Sequence, residues 1–199
     1  VWEHTLQTML HIAPDPCLRL VMLLHDCAKP ARFAVDFRGD GHFYGHAKES
    51  AALAEAILRR LKAPTALREE VLFLIRHHMD VPEANEKTVR RRLSKHGIPL
   101  SKKLLALQKA DYMSKGIPGD NAQLDFDGVG RLIEKIEAEN ACLQLSDLAI
   151  NGKDLMELGF EAGPQLGQLL NRLLEKVVDG DLPNEKSVLL QQAEKESLL

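Results

Sequence analysis

The chain has 199 residues, 45% of them apolar and 28% charged, with a formal net charge of −3. That supports one cored domain, or one domain plus an appended piece, and excludes a global electrostatic pull toward nucleic acid or membrane. Any nucleic-acid surface has to be a local patch.

Three cysteines (Cys17, Cys27 and Cys142) are an odd number without CxxC spacing. They argue against a zinc ribbon or a disulfide framework and fit a reducing, cytoplasmic setting. No apolar run approaches the ~18 residues of a membrane span, and no signal peptide is visible. The chain opens at Val1, without methionine and in sequence that reads as mid-helix, so an excised or processed piece is expected.

Trp2 to Ile12 is helical, with Trp2, Leu6, Met9 and Leu10 as its apolar side, and Pro14 and Pro16 stop it. Pro16 opens a second helix that ends before Pro30. In it Leu18, Val21, Met22 and His25 share one face, and Leu20, Leu23, Leu24 and Cys27 cover much of the rest, so burial nearly all round is expected. Residues 31–45 read as an irregular loop of functional length. Helices follow from Gly45-His46 to about Leu61, from Pro64-Thr65 to His77-His78, around Thr88–Lys95, and from a Ser101 cap to Tyr112. Beyond a Gly/Asp/Asn-rich linker, Gly116–Gly130, come helices at about Val129–Cys142 and from Pro164 to about Val178, then a last amphipathic one. No period-2 strand is convincing. The expectation is an all-α protein: a helical core over 1–118 and a helical tail over 119–199.

The chemistry-bearing residues lie at helix ends. His4, His25-Asp26, His46, His77-His78 and Asp111 each sit on a different predicted helix. At His25-Asp26 two readings stand side by side. One is a capped helix end facing water. The other is a buried pair, whose carboxylate costs several kcal/mol unless something compensates it. A divalent cation is the obvious compensation. Imidazole and carboxylate without thiolate suit Mn, Fe, Co, Ni or Mg rather than structural zinc. Spacing alone does not make these helices converge.

The order His4 … His25-Asp26 … Asp111 resembles the HD superfamily of metal-dependent phosphohydrolases. Trp2-Glu3-His4-Thr5, Leu23-Leu24-His25-Asp26-Cys27-Ala28-Lys29-Pro30, Phe43-Tyr44-Gly45-His46 and Ala110-Asp111-Tyr112 carry the likeness. His46 and Arg76-His77-His78-Met79 narrow it to the HD regions of bacterial tRNA nucleotidyltransferases and related poly(A) polymerases. Asn151-Gly152-Lys153-Asp154-Leu155-Met156 and Gly163-Pro164 with the following leucine helix resemble the C-terminal part of those enzymes.

The resemblance implies an HD-domain helical bundle with an appended tail, holding one or two divalent ions. His4, His25, Asp26 and Asp111 would bind one ion, Asp26 would bridge to a second, and His46 and His78 would complete it; His77 has the weaker claim. The implied activity is hydrolysis of a phosphomonoester or 2′,3′-cyclic phosphodiester at a nucleotide or RNA end, with Asp26 central to catalysis. Lys29 either meets a phosphate oxygen or is a helix-terminal cation favoured by the dipole. The transferases' catalytic head, with its Gly-rich loop and Asp-x-Asp pair, has no match: Asp125-Phe126-Asp127 lies late and reads as a helix N-cap. Polymerisation by this chain alone is not expected. The alternative is a non-catalytic body that grips tRNA.

Arg90, Arg91 and Arg92, with Arg59-Arg60 and Lys62 or Lys102-Lys103, are either a solvated face or an RNA-backbone patch. His42 and Arg32 are candidates for the mouth of the site. His11 reads as solvated or partly buried, His96 as a helix-terminal cation, and Gly163-Pro164 as an ordinary helix start. No membrane partner is expected, and oligomeric state is open.

Overall fold

The structure is a computed structural model that describes residues 1–115 and 124–197. Its helices and strands in chain order are α1 (Trp2–His11), α2 (Pro16–Leu24), β1 (Ala34–Val35), β2 (Gly41–His42), α3 (His46–Arg60), α4 (Thr65–His77), α5 (Glu86–His96), α6 (Ile98–Met113), α7 (Phe126–Ala138), α8 (Gly152–Glu157), α9 (Pro164–Val178) and α10 (Lys186–Ser197). The fold is all-α, with one minimal ribbon. Among the described residues no helix is long and apolar enough to cross a membrane.

The chain divides into two compact units, Val1–Val81 with Pro99–Phe126, and Pro82–Ile98 with Asp127–Leu199. A single cut at residue 118 does not reproduce this division. Residues 82–98, counted with the first part on sequence, belong to the second unit.

The first unit is built on α2. Asp15 caps it by accepting a hydrogen bond from the Leu18 amide at 2.8 Å, and Pro16 supplies the first helical φ. Leu18, Val21 and Met22 are buried with Leu74 and Ile75 of α4, Ala51, Ala54 and Leu58 of α3, and Leu104 and Leu107 of α6. The two alanines keep α3 thin on its inner face. Leu23 remains exposed, so α2 is buried on most sides rather than all.

Three local expectations are corrected. The buried side of α1 is Thr5 and Thr8, with Met9 packed against the core as expected, whereas Trp2, Leu6 and Leu10 face solvent, Leu10 at 76% exposure. Helical geometry explains it: the rotation that brings His4 inward carries residues 2, 6 and 10 outward. Thr8 Oγ1 donates to the Thr5 carbonyl at 2.7 Å, which satisfies the buried hydroxyl and leaves its methyl to pack. Ser101 is no cap, because α6 already starts at Ile98 with Pro99 in its first turn, and Ser101 lies fully buried inside it. Within the expected loop, Ala34 pairs with His42 and Val35 with Gly41. Asp36 closes that ribbon's turn, its Oδ1 accepting from the Arg38 and Asp40 amides at 2.8 and 3.0 Å.

In the second unit, Asn85 caps α5 through the Thr88 amide, and Gly97, with φ of 78°, ends it. A capping box between Asn151 and Asp154 starts α8. Leu169, Leu173 and Val177 of α9 pack with Leu155 of α8 and Leu189 and Ala193 of α10. Helix α7 begins at Phe126, directly after Asp125, and it ends at Ala138 rather than Cys142. Most of the expected linker, 116–123, lies outside the described residues.

Candidate metal centre

Five helices of the first unit deliver the site, with His4 coming from the first turn of α1. His25 closes α2 and Asp26 lies in the turn behind it. Ser50 of α3 steadies that turn by accepting from the Ala28 amide at 3.1 Å. His46 opens α3, where Gly45 takes φ of 74°, a conformation costly for a side chain. His78 closes α4, and Asp111 is buried near the end of α6.

Two overlapping groups result: His4, His25, Asp26 and Asp111, and Asp26, His46 and His78, each with ligand atoms within 4.8 Å of one another. Asp26 is common to both, and its two oxygens divide between them. Oδ2 is 3.4 Å from His25 Nε2 and 3.7 Å from His4 Nε2. Oδ1 is 3.4 Å from His46 Nε2 and 3.9 Å from His78 Nε2. Asp111 Oδ1 lies 2.8 Å from His4 Nε2 and 3.4 Å from His25 Nε2.

The imidazoles are fixed from behind. His25, His46 and His78 each donate Nδ1–H to a carbonyl three residues earlier, of Met22, Phe43 and Ile75, at 2.8, 2.8 and 2.7 Å. A carbonyl only accepts, so Nδ1 carries the proton and Nε2 of the neutral ring presents a lone pair. His46 and His78 point these atoms at each other across 3.2 Å. Two lone pairs repel at that distance unless a proton or a cation lies between them. Burial pulls the His78 imidazole down to about 4, against the Ile75 bond and Asp26, which hold it up. His25 Nε2 and Asp26 Oδ1 are buried with no hydrogen-bond partner. Orphaned acceptors of this kind, backed by carbonyl-anchored rings, fit a divalent cation.

The carboxylates stay ionised. Burial works to raise Asp26, but the Lys29 ammonium bonded to its Oδ2 works against it, and Asp26 is held below its ordinary range. Asp111 is likewise held well below it, against burial, by His25 and Lys115. Lys29 Nζ sits 2.5 Å from Asp26 Oδ2, and Lys115 Nζ 2.7 Å from Asp111 Oδ2. Lys115 was missed on sequence, although its spacing four residues beyond Asp111 on a helix was the available signal.

Other residues fall elsewhere. His77 turns to exposed Asp80 at 2.7 Å. His42 bonds Asp36 at 3.0 Å, and Arg32 pairs with Glu49. His11 is exposed, and His96 ends α5. Arg90, Arg91 and Arg92 are consecutive on α5 and therefore point about 100° apart rather than forming one patch. Arg90 contacts Glu86 at 3.1 Å and Glu139 at 3.5 Å. Arg91 grips both oxygens of Asp179 at 2.6 Å. Arg92 is half-buried.

Relatives share this sequence. The chain is 32% identical to the CC-adding tRNA nucleotidyltransferase of Thermus thermophilus over 90% of its own length and 41% of that protein. It is 30% identical to the A-adding tRNA nucleotidyltransferase of Deinococcus radiodurans over 96% of itself and 46% of that protein. A shorter match, 54% identical over 22% of this chain and 11% of the relative, joins it to the CCA-adding enzyme of Levilactobacillus brevis. The chain thus spans less than half the length of each of these relatives. Residues 43–193 match the sequence profile of tRNA nucleotidyltransferase domain 2, and the chain belongs to that family.

Proposed function

We propose that the chain is a metal-dependent phosphohydrolase of the HD superfamily, acting on phosphomonoesters or 2′,3′-cyclic phosphodiesters of nucleotides or RNA ends. The observation behind the reading is the buried cluster, in which three carbonyl-anchored imidazoles and two carboxylates converge with no hydrogen-bond partner for His25 Nε2 or Asp26 Oδ1. His4, His25, Asp26 and Asp111 hold one ion, and Asp26, His46 and His78 a second. Bound divalent ions supply Lewis acidity at phosphorus, a nucleophile at neutral pH and neutralisation of phosphoryl charge. Asp26 aligns both groups through its two oxygens. The carbonyl bonds to His25, His46 and His78 hold the rings in one tautomer. Lys29 offers a partly exposed ammonium at the cluster's edge for a phosphate oxygen. Mn, Ni, Co, Fe and Mg all suit this donor set. A tRNA-related substrate accords with the relatives' names.

Metal analysis and a hydrolysis screen on nucleotides and cyclic nucleotides with added Mn²⁺, Ni²⁺ or Co²⁺ test this. Asp26→Ala is expected to lose both metal and hydrolysis, and unchanged turnover would sink the reading. The coverage of under half of the CC-adding and A-adding relatives favours a second reading, a non-catalytic body that holds tRNA. In that case the metal-loaded protein binds tRNA with steep salt dependence and hydrolyses nothing.

A further inference from the structure

The chain carries nine aromatic residues, and Phe33, Phe37, Phe43 and Tyr44 fall within the ribbon between α2 and α3. They are not core. Phe33 is 58%, Phe37 92% and Tyr44 72% exposed. Large rings left in water on so short a segment mark a binding surface rather than scatter.

The rings are organised. His42 and Tyr44 stack with centroids 5.0 Å apart and planes within 20°. Phe33 and Phe43 lie 5.5 Å apart. Gly41 makes room for this arrangement, because a Cβ there would stand 2.7 Å from the Phe33 ring. Arg38 covers the Phe37 ring at 5.2 Å, and Lys29 lies 5.6 Å from the centre of Phe43. Of the cations in residues 29–48, Lys29 and Arg32 are paired with Asp26 and Glu49, whereas Arg38 and Lys48 lie in no ion pair among the described residues. The surface also runs into the buried cluster: Lys29 pairs with Asp26, and the Phe43 carbonyl holds His46.

We propose that this ribbon is a stacking platform for single-stranded nucleic acid. Flat rings accept any base face, interleaved cations meet the phosphates, and a mixture of the two is what unspecific single-strand binding requires. An apolar protein partner would not need the cations placed over the rings. The inference goes beyond the hydrolase reading and does not depend on it.

The test is fluorescence anisotropy of labelled oligo(A), about eight nucleotides long, titrated with the full chain at several salt concentrations. Wild type is expected to bind, with affinity falling as salt rises. Phe37→Ala and Tyr44→Ala should each weaken binding about tenfold, Tyr44→Phe should retain it, and Leu10→Ala on α1 should change nothing. Unaltered melting of each variant keeps the comparison fair, since these side chains are exposed. Metal-free Asp26→Ala should still bind, which separates this surface from the chemistry of the cluster. Absence of oligonucleotide binding by wild type, or equal binding by both alanine variants, would overturn the platform even if the cluster hydrolyses small nucleotides.

Discussion

His25, Asp26, His46, His78 and Asp111, together with every other buried polar residue among those described, lie in the unit made of Val1–Val81 and Pro99–Phe126. The core of the other unit is apolar, and its charges meet at the surface, as in Arg91 with Asp179 and Lys176 with Glu196. Both units are helical, and both have an aliphatic core. The difference is therefore not one of fold class. A unit selected for stability alone does as well or better with hydrophobic residues in place of a buried charge cluster. Burial of two carboxylates among imidazoles places the candidate metal-binding groups in the first unit.

Chelation should break the symmetry between the units most strongly. A dication held at a thousand times its Kd contributes about 4 kcal/mol to the state that binds it. Calorimetry with and without chelator should lower the transition of the first unit, with Asp26→Ala insensitive; a fall of equal size in that variant would refute the assignment. Next in size is Leu173→Ala, which opens a cavity in the apolar core of the second unit. A loss of about 3 kcal/mol in urea unfolding is expected, with metal content unchanged.

The smallest effect belongs to Glu196. Burial favours raising its carboxyl, but Lys176, Gln192 and Arg172 outweigh it and bring it down to about 2 from 4.5. A folded-state value below the unfolded one stabilises above the unfolded value and loses that contribution as pH falls through the folded one. Glu196→Gln should therefore cost about 1 kcal/mol at neutral pH. The gap between variant and wild type should close between pH 4.5 and about 2. A gap that persists at low pH would mean the side chain acts through packing instead.

Much of this protein was legible without coordinates. Helix type followed from apolar spacing and from local stop and start residues such as Pro16, Gly45 and Gly163-Pro164, because capping and backbone preference act within a few residues. The local anomaly of His25-Asp26 after a run broken only by Arg19 was legible too, and His4, His46, His78 and Asp111 also fall at helix ends, but the full candidate set was implied by the family resemblance rather than by spacing. Which face of each helix turned inward was not legible. On α1 the apolar count favoured Trp2, Leu6 and Leu10, yet placing His4 beside Asp111 left them in water. Ser101 and residues 82–98 were misplaced likewise, since helix starts and unit membership depend on partners distant in sequence. Tertiary structure alone decided that the two oxygens of Asp26 serve two groups, that Lys115 sits on Asp111, and that Arg91 is spent on Asp179. Such pairings depend on distances between elements, and periodicity carries no information about those.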